Sequence, residues 1–156
     1  MTESKKRRGR RRVGDVVSIA LDDAGTMAYA VVLEQAKFAV FDGRSTSDID
    51  TVLQQAPMFY VSVMDSAVTT GRWPMVASRL ERVAQLNAPP TFMQDPIHRE
   101  KFQIYDKGVM RPSTREECAA LERTAVWDAE HVEDRIRDDY AGRENKWLCS
   151  MQIDAI

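Results

Sequence analysis

His98 and His131, with Cys118 and Cys149, are the chain's whole supply of imidazole and thiol groups. The densest local grouping is AEHVED. There His131 and Asp134 stand three apart, so on a helix both reach one side, with Glu130 beside them. If folding brought Cys118 near, such a set could hold a metal, and Cys118 with His131 could act as thiol nucleophile and base. Both chemistries are undersupplied. A zinc site takes three or four clustered ligands and a binuclear hydrolase takes more. Cys118 falls on the apolar stripe of its own segment, where a thiol usually packs. No GxSxG, GxGxxG or GxxxxGKS motif is present, so neither an acyl-transfer elbow nor a nucleotide-phosphate loop is indicated. The expectation is a chain without catalytic residues, metal or cofactor of its own.

Charge is the stronger signal. From Lys5 to Arg12, seven of eight residues are basic, and residues 1–12 carry a net +6 because Glu3 is their only acid. The whole chain has 22 basic and 24 acidic residues, so residues 13–156 carry −8. A nucleic-acid-binding domain displays its positive charge on the folded body, and this body would repel phosphates. The basic run therefore reads as a disordered tail, residues 1–12, with at most weak, salt-sensitive nucleic-acid contact. The acids concentrate in WDAEHVEDRIRDD, which places Asp128, Glu130, Glu133, Asp134, Asp138 and Asp139 on one short helix. They form either a solvated face or a docking surface for a basic protein. Arg72 and Trp73 add an aromatic and arginine pair of the kind that anchors interfaces.

The elements that must position these residues follow from periodicity. DVVSIAL and TMAYAVVLEQ flank a loop ending in Gly25, which predicts a hairpin with a type I turn and a bulge. KFAVFDG adds a third strand. Three closely spaced strands predict an antiparallel, strongly bent sheet, SH3-like in kind. STSDIDTVLQQAP predicts a helix capped by Ser47 or Asp48 and ended by Pro57. MFYVSVM at 58–64 reads as a strand, and another follows from Trp73. Residues 87–113 read as loops and short strands, including KFQIY and a DKG turn. PSTREECAALERTAVW carries a capping box, with Thr114 and Glu117, and predicts a helix. A second helix runs from Asp128 to a C′ residue at Gly142, with Ala129, Val132, Ile136 and Tyr140 on one face. The fold class expected is α+β, an N-terminal sheet followed by two C-terminal helices. One domain spans 13–150, with a flexible end at 151–156. The apolar stretch at 16–21 is too short for a signal peptide and no run approaches a membrane span, so the expected compartment is the cytoplasm. The lone thiols fit a reducing one.

Three stretches resemble the immunity protein 26 family of bacterial polymorphic toxin systems. They are GDVVSIALDDAGTMAYAVVLEQAKFAVFD, FYVSVMDSAVTTGRWPMV and RPSTREECAALERTAVWDAEHVEDRIRDDYAGRENKW. The most recognisable pieces are Gly14-Asp15, Gly71-Arg72-Trp73-Pro74, and Glu117-Cys118 with Leu121-Glu122-Arg123 and Ala125-Val126-Trp127. The resemblance runs from Val13 to about Trp147 and does not include the basic run. It implies a non-enzymatic role in which the protein binds and neutralises a cognate toxin. Some relatives are labelled phosphotriesterase, and on that alternative His98, Cys118, His131 and Asp134 would be the residues involved.

Overall fold

The structure is a computed structural model that describes residues 11–154. The stretch from Lys5 to Arg10, most of the basic run, lies outside the described residues, as do 155–156. In chain order the elements begin with β1 (Asp15–Ala20), β2 (Met27–Val32), β3 (Lys37–Asp42), α1 (Ile49–Leu53) and β4 (Phe59–Val63). They continue with α2 (Ser66–Thr69), β5 (Met75–Ser78), α3 (Leu80–Val83), β6 (Thr91–Gln94), β7 (Phe102–Asp106) and β8 (Val109–Ser113). The last are α4 (Arg115–Cys118), β9 (Val126–Trp127), α5 (Ala129–Ala141) and α6 (Lys146–Ser150). The chain falls into two compact units, Met1–Asn87 with Val126–Glu133 and Ala88–Ala125 with Asp134–Ile156. No helix among the described residues is long and apolar enough to cross a membrane.

The first unit is built on a six-stranded sheet of order β5-β1-β2-β3-β4-β9. β1 to β4 form an antiparallel meander, β5 adds antiparallel to β1, and β9 adds parallel to β4. The hairpin at Gly25 forms as expected. Gly25 has φ +87°, and the Asp22 carboxylate accepts from the backbone N–H groups of Ala24 and Thr26. The next turn is tighter, with Gln35 and Ala36 at φ +60° and +62°. α1 is capped by Asp48, whose side chain accepts from the Thr51 N–H.

Two expectations need correction. The sheet is mixed and is not strongly curled into an SH3-like form. Strong bending needs glycines or bulges repeated through the strands; here Gly14, Gly25, Gly43 and Gly71 all lie outside them, and the register shift between β1 and β5 sits at the edge of the sheet. Alternation and short turns specify a meander, not whether it closes. Thr114 caps the helix as expected, its hydroxyl accepting from the Glu117 N–H, but the Glu117 carboxylate pairs with Arg111 instead of closing the box, and α4 stops at Cys118 and does not continue to Trp127. The backbone beyond is claimed by strands. Phe92 N–H donates to Glu122 O, Thr124 N–H donates to Phe92 O, and Val126-Trp127 pairs with Ser62-Val63. Tertiary pairing thus overrides a local start signal.

The second unit carries the antiparallel sheet β6-β7-β8. Phe92, Phe102, Ile104 and Cys118 form its core, with Leu121 and Ile153 packed against them. α5 starts and stops close to the expected places, with Gly142 at φ +67° after it. Its Val132 and Ile136 are fully buried. α6 was not anticipated. Asn145 caps it through bonds from the Trp147 and Leu148 N–H groups.

Candidate functional site

The segment between α2 and β5 turns at Gly71, which has φ +77°. Trp73 N–H donates to Ala67 O at 2.9 Å, folding the segment back on α2. This drops the Trp73 ring into the core, where it is 0% exposed and meets Phe38 edge-on at 5.7 Å. A buried indole N–H needs an acceptor. Glu133 supplies it: Trp73 Nε1 donates to Glu133 Oε2 at 2.9 Å. The same carboxylate takes two parallel bonds from Arg72, Nε to Oε2 and Nη2 to Oε1, both at 2.8 Å. Fork-on-carboxylate pairing of this kind is short and directional. The Glu133 side chain is only 6% exposed, whereas Arg72 is 47% exposed. The Glu133 hydrogen bonds hold the Arg72 pKa above its ordinary value despite partial desolvation, with Glu130 adding a weaker pull. At least three donor groups converge on its two oxygens, so Glu133 latches Arg72 and Trp73 together.

Arg72, Trp73 and Glu133, three of the residues singled out in the sequence, therefore meet in one cluster. The remaining acids are dispersed. In the first unit Asp128 and Glu130 are exposed, and the Asp128 carboxylate lies 3.8 Å from His131 Nδ1. In the second unit Asp134 pairs with Arg137 at 3.0 Å and accepts from Trp147 Nε1 at 3.3 Å. Asp138 accepts from Asn145 Nδ2 at 2.9 Å and lies 3.4 Å from Arg143. Asp139 is exposed. Several of these carboxylates are neutralised from within the chain, a pairing that a count of acids does not reveal.

The residues of the hydrolase alternative are placed as follows. Cys118 is fully buried between Phe92, Phe102 and Ile104. His98 is exposed, with Nδ1 3.9 Å from Glu100. Among the described residues no three of His, Cys, Asp or Glu stand together as metal ligands would.

Two contacts escaped the sequence reading. Arg11, near the end of the basic run, donates through Nη1 to Val63 O at 2.7 Å, pairs with Asp65 and lies 5.4 Å over the Phe38 ring. A charge run offers no sign that one member is built into the fold. In the second unit the buried Arg135 pairs in parallel with Glu122 at 2.9 Å on both arms. Those residues are 13 apart, beyond any helical spacing rule.

A family model for immunity protein 26 matches residues 12–103. This chain belongs to the immunity protein 26 family. The matched span takes in β1 to β6 and enters β7, so it contains both Gly14-Asp15 and the Arg72-Trp73 segment. The Glu117-Cys118 and Val126-Trp127 pieces, and Glu133 itself, lie beyond it. Within the immunity protein 26 span, then, the residues that shape the latch are the two that Glu133 grips. No curated protein and no solved structure shows significant similarity to the chain.

Proposed function

We propose that the protein is an immunity protein that acts in the cytoplasm by binding a cognate bacterial toxin and neutralising it through protein–protein contact. Membership of the immunity protein 26 family over residues 12–103 carries this reading. The site chemistry is compatible with it. Arg72 and Glu133 are committed to each other, and Asp128 and Glu130 offer exposed negative charge. Exposed charge of this kind speeds encounter with an oppositely charged partner. In this account Asp128, Glu130 and Asp139 act as surface charges, as do Asp134 and Asp138 where solvent reaches them. Trp73 and Glu133 act beneath the surface by holding Arg72 in place.

The test is co-expression with candidate toxin domains cloned from the reading frames that flank this chain's gene. Cells producing both should grow as well as cells producing neither. Toxicity undiminished in the presence of folded, full-length protein would refute the reading.

A further inference from the structure

β5 is an end strand of the six-stranded sheet and carries an unusual surface. Met75, Val76 and Leu80 are 61%, 47% and 62% exposed. A bulge produces this arrangement. Val16 pairs with Ala77, Val17 pairs with Met75, and Ser18 N–H donates to Pro74 O at 3.0 Å, so Val76 is an extra residue in the ladder. Bulges bend an edge strand and re-aim its side chains. Here two consecutive apolar side chains face solvent, where a regular strand would turn one inward.

This edge is held rigidly at both ends. Just before it, Trp73 and Arg72 are fixed by Glu133. Just after it, Arg79 N–H donates to Gly14 O at 2.7 Å, and a Cβ on Gly14 would stand 2.7 Å from Leu80 Cα. Gly14-Asp15 and Gly71-Arg72-Trp73-Pro74, pieces widely separated in sequence, therefore converge on one short strand. A preorganised patch loses little conformational freedom on binding, which favours affinity. The charges beside it are mostly negative. Asp50 pairs with Arg79 at 2.8 Å and Glu133 pairs with Arg72 at 2.8 Å, which leaves the exposed Asp48, Glu81 and Glu130 against the further cation Arg82. An apolar centre that includes a methionine, with arginines and carboxylates at its rim, matches the anatomy of a protein interface.

We propose that the β5 edge, centred on Met75, Val76 and Leu80, is the surface that receives the toxin, and that the toxin presents an apolar protrusion flanked by basic residues. This rests on the immunity reading above, and the experiment separates the two. The purified full-length chain is measured by biolayer interferometry against the toxin domain that the co-expression test identifies. The wild type is compared with Met75→Glu, Val76→Glu, the milder Met75→Ala, and Val109→Glu on the exposed strand of the other unit. The three β5 variants are expected to keep the wild-type thermal midpoint, because the side chains are exposed. Both glutamate changes should weaken binding at least tenfold, mainly through faster dissociation, and Met75→Ala should weaken it several-fold. Val109→Glu should bind as the wild type does. Wild-type binding with no loss in any β5 variant would overturn the β5 assignment and leave the immunity reading standing. So would self-association abolished by Val76→Glu with toxin affinity unchanged, which would make this edge a contact between copies. Absence of any wild-type complex would overturn both.

Discussion

Glu133 accepts from Trp73 and twice from Arg72 while nearly excluded from water. A buried carboxylate is tolerated only when its charge and lone pairs are met. Glu133→Gln keeps the shape but removes the charge and one acceptor oxygen, so Arg72 loses its ion pair and one of its two parallel bonds. The expected cost is about 2 kcal/mol in urea unfolding, within the range for breaking a largely buried ion pair whose other member is half in water. A loss under about 0.5 kcal/mol would mean the latch contributes little. Asp50 makes the pH-dependent counterpart. Its hydrogen bond from Arg79 holds its pKa below the ordinary 3.8 in the folded state. A carboxyl with a depressed folded-state pKa contributes stability above its unfolded value and loses it as pH falls through the folded one. The unfolding midpoints of wild type and Asp50→Asn should therefore differ near neutral pH and converge below 3.8. A gap unchanged at low pH would rule this pair out as its source.

At the scale of elements, the position of β5 depends on Gly14. Its φ of +92° and the 2.7 Å approach of Leu80 Cα leave no room for a methyl group. Gly14→Ala should destabilise the fold by about 1–3 kcal/mol, combining backbone strain with overpacking. It should also reduce hydrogen-exchange protection at Arg79 N–H, which bonds to Gly14 O. Unchanged protection there would contradict the account of how the edge is held. The elements also show what the sequence could and could not reveal. β1 to β4, α1 and α5 were legible because each has a period, a turn or a cap written into a single local stretch. The end of α4 was not, because Thr124 and Val126 leave the helix to satisfy partners far away, on β6 and β4. The same limit applies to the site. Arg72, Trp73 and Glu133 stood out by residue type, but the bond between them spans 60 residues and no local rule encodes it. The bulge at Val76 was likewise invisible, since it exists only in the register against β1.

For the whole molecule, segregation of charge is the governing feature. Residues 13–156 carry −8, a field that attracts basic proteins and repels nucleic acid. Arg11 belongs to the fold through Val63 and Asp65, so a truncation meant to isolate the basic run should remove residues 1–10 and keep Arg11. That truncated chain should fold with its thermal midpoint unchanged. Replacing Asp128 and Glu130 together by lysine should slow toxin association several-fold at low salt, with little effect at high salt where the field is screened. Association rates insensitive to both changes would mean that this charge does not steer the encounter. The most direct measurement of the central claim is calorimetric titration of the full-length chain into the toxin domain that the co-expression test identifies. The account predicts saturable binding at one protein per toxin, with toxin activity lost in proportion to complex formed. No heat of binding between two folded proteins, with the toxin fully active at excess of this chain, would contradict it.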